Sequence, residues 1–134
     1  MTRGVQIKAS IITESKDLHD VAGNQELERH RTLEEDEQHM DVARALFSTL
    51  SEQLAVALLS TAYQDEKEYL VCFELEYWQM NEDAPRCQGI NVSFSANEYI
   101  PTRGSSDQIK AVIKDVVEEI LKTFPSIGRS GEEV

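Results

Sequence analysis

From Val5 onward the chain alternates. Val5, Ile7, Ala9 and Ile11 fall on one side, Gln6, Lys8 and Ser10 on the other, the period of two that marks a strand with one buried face. The rhythm is then lost. Residues 14–32 are rich in Glu, Asp, His and Arg and contain the turn pair Gly23-Asn24, so they read as a polar loop with at most a short helical turn. In a compact domain a loop of that length is either functional or mobile.

Thr32-Leu33-Glu34-Glu35 has the form of a capping box, and the acids that follow suit the positive end of a helix dipole. A helix is expected from about Leu33 to Ala62, with Ala43, Leu46, Phe47, Leu50, Leu54, Ala57 and Leu58 as its apolar stripe. Over Leu54-Ala55-Val56-Ala57-Leu58-Leu59 no polar side remains. In so short a chain, that points to a central position or to a contact with another subunit. Leu54, Val56, Leu58 and Leu59 are therefore the candidate self-association residues.

Period two returns over residues 66–80. Tyr69, Val71, Phe73, Leu75 and Tyr77 share one face; Leu70, Cys72, Glu74, Glu76, Trp78 and Met80 share the other. Asn81-Glu82-Asp83-Ala84-Pro85 reads as a turn, and Ile90, Val92, Phe94 and Ala96 alternate after it, completing a hairpin. Facing Phe73 with Phe94 and Leu75 with Val92 sets Tyr77 against Ile90 and Cys72 against Ser95, with a short loop around Asp83 and Ala84. Pro101 ends the second strand because it cannot donate to a ladder. Ser105-Ser106-Asp107-Gln108 is a second capping box. The helix it opens carries Ile109, Val112, Ile113, Val116, Val117, Ile120 and Phe124 on one side and is expected to stop at Pro125, leaving residues 126–134 as a mobile acidic tail. No internal repeat is evident.

These elements predict a single α+β domain over residues 1–134: a three-stranded, mainly antiparallel sheet with two helices packed on one face, in the order β-loop-α-β-β-α. The first strand can pair at either edge. With both helices on the Tyr69–Tyr77 face, Trp78 looks away from them.

Composition narrows the function classes. The 134 residues hold 25 Asp and Glu against 13 Lys and Arg, a net charge of −12, and the pI is about 4.6. Such a balance argues against direct binding to a nucleic-acid backbone. No stretch approaches the roughly 18 unbroken apolar residues of a membrane span, and Met1–Lys8 lacks the apolar run of a secretory signal. The expected setting is the cytoplasm, without membrane contact. The only cysteines are Cys72 and Cys87. In the hairpin register above they lie roughly 26 Å apart at about 3.3 Å per residue, too far for a disulfide, which predicts two free thiols in a reducing compartment.

Catalytic chemistry finds little footing. His19, His30 and His39 all precede the hairpin, and no nucleophile elbow, phosphate-binding loop or dinucleotide fingerprint is present. Glu35 and His39 would share a helix face, with His30 and Glu34 nearby, but the acids there already suit the helix dipole. No metal or cofactor is assigned. Glu74 and Glu76 share one strand face and read as solvated carboxylates.

The second sheet face is the most informative feature. Trp78, Met80 and Leu70 stand beside Glu74 and Glu76, like the apolar centre and polar rim of an interface. The expectation is a non-catalytic acidic module that binds another protein, one with a basic surface, and that forms a homo-oligomer. Partner-binding residues are Trp78, Met80, Leu70, Glu74 and Glu76. Such a module would work as an adaptor, chaperone or inhibitor, including an inhibitor whose acids imitate nucleic-acid phosphates. The rivals are a small enzyme or metal- or ligand-binding domain using His and acidic residues near the loop, and a structural subunit of a larger assembly.

Overall fold

A computed structural model describes residues 1–13, 25–81 and 88–132. The elements run β1 (Thr2–Ile12), β2 (Gln25–Thr32), α1 (His39–Leu59), a single 3-10 turn (Thr61–Tyr63), β3 (Glu68–Asn81), β4 (Gln88–Pro101) and α2 (Ser106–Glu132). The four strands form one antiparallel sheet in the order β2-β1-β3-β4.

The alternation of β1 and β3 builds the core as its period requires. Val5, Ile7, Ala9 and Ile11 are buried, as are Tyr69, Val71, Phe73, Leu75 and Tyr77. Over this face lie α1, through Val42, Phe47, Leu50, Leu54 and Leu58, and α2, through Ile109, Ile113, Val117, Ile120 and Leu121. The first helix packs on β1 and β2, the second on β4, and the two touch each other. The fold is thus α+β with two helices on one side of the sheet.

The sheet has four strands rather than three. Residues 25–32, assigned by composition to the polar loop, form β2, which pairs with β1 from Gly4↔Thr32 to Ile11↔Gln25. Its pattern escapes an apolar search because only Leu27 is apolar. Gln25, Arg29 and Arg31 take the other positions on the helix side, while Glu26, Glu28 and His30 face outward. Charged side chains suit an edge strand, whose open side they guard against stray pairing. β1 is therefore central, between β2 and β3.

The first helix begins later than its capping box suggests. Thr32 pairs with Gly4 as the last residue of β2, and the Leu33 N–H donates to the Arg3 carbonyl at 2.9 Å. The acidic block is a turn. The Glu37 N–H donates to the Glu34 carbonyl at 3.1 Å, and the Glu34 N–H donates to the Glu37 carboxylate at 2.9 Å. Arg3 closes it by donating to the carbonyls of Glu34, Glu35 and Glu37 at 2.8, 3.1 and 3.2 Å, and Arg31 pairs with the Glu37 carboxylate at 2.7 Å. Two arginines thus spend these residues on a corner, and α1 starts at His39 with no side-chain cap. It ends at Leu59, where the Ser60 N–H and hydroxyl both donate to the Ala57 carbonyl.

The second capping box forms reciprocally: the Gln108 N–H donates to Ser105 Oγ at 3.2 Å and the Ser105 N–H to Gln108 Oε1 at 2.9 Å. Gly104, at φ 123°, supplies the left-handed residue before it. α2 does not stop at Pro125 but continues to Glu132, so residues 126–132 are helix rather than tail. A proline forfeits one backbone bond and bends a helix, yet does not always end it.

The β3–β4 register is offset by two from the one that faces Phe73 with Phe94. Phe73 pairs with Ala96, Leu75 with Phe94, Tyr77 with Val92 and Cys72 with Asn97. A slip of two leaves every side chain on its face, so apolar alternation alone cannot distinguish the two. The connecting loop around Asp83 and Ala84, and Cys87, lie outside the described residues.

The order ββα occurs twice, and the sheet order is symmetric about the β1–β3 seam. Val5, Ile7, Ala9 and Ile11 in the first unit correspond to Val71, Phe73, Leu75 and Tyr77 in the second. At the seam Lys8 faces Glu74. Side-chain size differs at most of these positions, so the repeated element order carries no evident repeat in the sequence.

Candidate functional site

The outward face of the sheet is a lattice fixed by strand register. From β2 across to β4 the rows read Thr32-Gly4-Trp78-Asn91, His30-Gln6-Glu76-Ser93, Glu28-Lys8-Glu74-Ser95 and Glu26-Ser10-Cys72-Asn97. Beyond the last row stand Ile12, Leu70 and Tyr99; beyond the first, Thr2, Met80 and Gly89. Among the described residues no helix covers this face.

Its middle is acidic. Glu26, Glu28, Glu74 and Glu76 surround one lysine, Lys8, whose Nζ lies 3.7 Å from Glu26 and 3.9 Å from Glu74. Gln6 donates to Glu28, and Asn91 Nδ2 donates to Glu76 at 3.2 Å. Ion pairs this long and this exposed contribute little to stability. They hold the carboxylates in place and leave most of the negative charge unneutralised. A depression of about 330 Å³ opens here, with Gln6, Lys8, Glu74, Glu76, Ser93 and Ser95 around it.

Its ends are apolar. Trp78 lies flat over Gly4: a β-carbon placed on Gly4 would come within 2.2 Å of the indole. The glycine thus makes the seat in which the ring rests half-buried. Met80 is 41% exposed at that end, and Tyr99 is 60% exposed beside half-buried Leu70 at the other. Trp78 and Leu70 are eight residues apart on one strand, about 26 Å.

The five partner-binding candidates, Trp78, Met80, Leu70, Glu74 and Glu76, thus share one face turned away from the helices. Glu26, Glu28, Lys8 and Gln6 complete it and were not singled out by sequence. The signal for the β2 pair was the alternation of Glu26, Glu28 and His30 with Leu27, Arg29 and Arg31, which is period two written in charge rather than hydrophobicity.

The self-association candidates are dispersed. Leu54 and Leu58 are fully buried in the chain's own core, Leu59 is half-buried and Val56 is 68% exposed. Leu54 and Leu58 point into the chain's own core, which accounts for them without a second subunit, whereas Val56 stands on the solvent side of a helix that lies in the outer layer. The histidines do not converge either. His30 faces outward on β2, whereas the His39 ring sits 4.4 Å from that of Tyr77, on the helix side. His19 lies outside the described residues. Among the described residues no three His, Cys, Asp or Glu side chains are grouped to hold a metal ion.

Cys72 is a free, half-buried thiol on this face. Burial pushes its pKa up, the Glu74 carboxylate adds to the rise, and Lys8 pulls the other way. Less thiolate means slower alkylation. Glu74→Gln should speed iodoacetamide labelling of Cys72 at about pH 8, and Lys8→Ala should slow it. Labelling followed residue by residue by peptide mass mapping checks both; identical rates in the three proteins would refute the assigned causes.

No protein-family model, curated protein or solved structure matches this chain.

Proposed function

We propose that the chain is a non-catalytic protein-binding module, of the adaptor, chaperone or inhibitor kind, whose outward sheet face receives a basic segment of another protein. The observation that carries this reading is the ordering of that face. Four carboxylates and one lysine occupy the middle, Trp78 with Met80 closes one end, and Leu70 with Tyr99 closes the other. A ligand that matches it has Lys or Arg in its centre and apolar anchors about 26 Å apart, the span of eight extended residues. Aromatic and methionine side chains are common anchors in such contacts, and surrounding charges steer the approach more than they fix affinity.

The lone tryptophan makes the test direct, since Trp78 is the chain's only indole. A synthetic peptide with a Lys/Arg centre and a Leu at each end is titrated while Trp78 emission is followed. The expected result is a saturable shift that weakens as salt is raised and an affinity lowered roughly tenfold in Glu74→Gln/Glu76→Gln, or about 1.4 kcal/mol. An emission that does not respond, or an affinity indifferent to the two glutamines, would defeat the proposal.

A further inference from the structure

The two edges of the sheet are unlike. β2 is eight residues long and carries Glu26, Glu28, Arg29 and Arg31. β4 is 14 residues long, and Glu98 is its only charged side chain. An edge strand exposes a row of unpaired N–H and C=O groups, and natural proteins usually blunt long ones with charge, bulges or proline. Here proline enters only at the last residue, and β4 pairs with β3 without a break from Gln88 to Pro101.

The apolar cover is also incomplete on this flank. Ile7, Phe73 and Leu75 in the middle of the sheet are fully buried, whereas Val92, Phe94 and Ala96 of β4 are only partly so and Ile90 is 39% exposed. The helix above shows the same bias. Glu118 of α2 reaches Arg44 of α1 at 3.4 Å, which marks the side facing α1. At 3.6 residues per turn, Val112 and Val116 stand about 120° and 160° away from it around the helix. Both are only partly buried. Their side of α2 overhangs the open edge of β4.

We propose that this flank pairs with a second copy of the chain, β4 against β4 in antiparallel, to give one continuous eight-stranded sheet. The occupant follows from charge. A molecule of net charge −12 repels its copies over most of its surface, and β4 is the long edge where that repulsion is least. A pairing centred on Phe94 sets Glu98 of one copy beside Ile90 of the other and keeps the two Glu98 carboxylates about 26 Å apart. It brings Val92 of each copy beside Ala96 of the other and the two Phe94 side chains together. A basic partner segment has no reason to choose so neutral an edge when the acidic outward face is available. Size also fits. A flank of 14 residues is about 46 Å long and, with the helix layer, about 10 Å deep, so two copies cover on the order of 1,000 Å², the lower bound for a specific association. A reversible dimer is the expected state.

Sedimentation of the full chain at tens of micromolar should show a dimer that dissociates on dilution. Ser93 and Ser95 are exposed at the middle of β4, so Ser93→Lys/Ser95→Lys should fold with unchanged circular dichroism yet sediment as a monomer, and Ser93→Glu/Ser95→Glu likewise. Mixing the two variants should restore a dimer, since unlike charges then face each other across the seam. Hydrogen exchange of wild-type β4 amides gives a reading free of any substitution: protection should fall on dilution in β4 and stay constant in β1 and β3. Wild-type protein that remains monomeric at these concentrations overturns the proposal. So do Lys and Glu variants that stay dimeric, or a dimer abolished instead by Val56→Asp on α1.

Discussion

Phe47→Ala is expected to remove about 3–5 kcal/mol of stability, a large part of the roughly 5–15 kcal/mol that holds a domain of this kind together. Phe47 is fully buried on α1, within the cluster that joins Ile7, Phe73 and Leu75 of the sheet to Leu50 and Leu54 of the helix. Both central strands depend on it, and an alanine there leaves a cavity that neighbouring side chains can close only in part. Urea unfolding followed by circular dichroism should show the midpoint falling sharply while the slope is unchanged. A loss of under about 1 kcal/mol would mean that α1 does not cover the sheet as described.

Gly4→Ala is the second large effect and the more specific one. A single methyl group placed on Gly4 meets three indole atoms of Trp78, at 2.2, 2.3 and 2.6 Å. The ring must lift from its seat, and forced repacking of this sort typically costs about 1–3 kcal/mol. Emission from the sole tryptophan should move to the red as the ring enters water. The cause can be isolated: in a Trp78→Ala background, the same Gly4→Ala change should cost almost nothing. An equal cost in both backgrounds would show that the glycine serves the backbone rather than the ring. If the outward face binds peptide as proposed, the single variant loses one of its anchors, and binding should weaken as the emission shifts.

Much of this arrangement was legible in the residues. Alternation fixed the faces of β1, β3 and β4, including the decisive placement of Trp78 opposite the helices, because one buried face imposes its period on every strand it touches. Ser105 and Gln108 announced the start of α2 through side chains able to bond each other's backbone. Thr32 and Glu35 offered the same letters and did something else. Arg3, some thirty residues earlier in the chain, captures the carbonyls of Glu34, Glu35 and Glu37, and a local motif cannot foresee a distant guanidinium. β2 was hidden for a different reason. An edge strand with water on one side and a helix margin on the other has little need of apolar residues, so Arg29 and Arg31 serve where Val or Ile would have been recognised. The two-residue offset of the hairpin was beyond the reach of periodicity altogether, since both registers bury the same side chains.

The doubled ββα order has a consequence for anything laid along the outward face. Under exact duplication a half-turn would superimpose that face on itself, and a bound chain could enter from either direction. The two halves differ at the centre of rotation, where one supplies Lys8 and the other Glu74, and at the margins, where an indole resting on a glycine answers a leucine beside a tyrosine. Where exact repetition would make the two directions along this face equivalent, the face as built has a head and a tail.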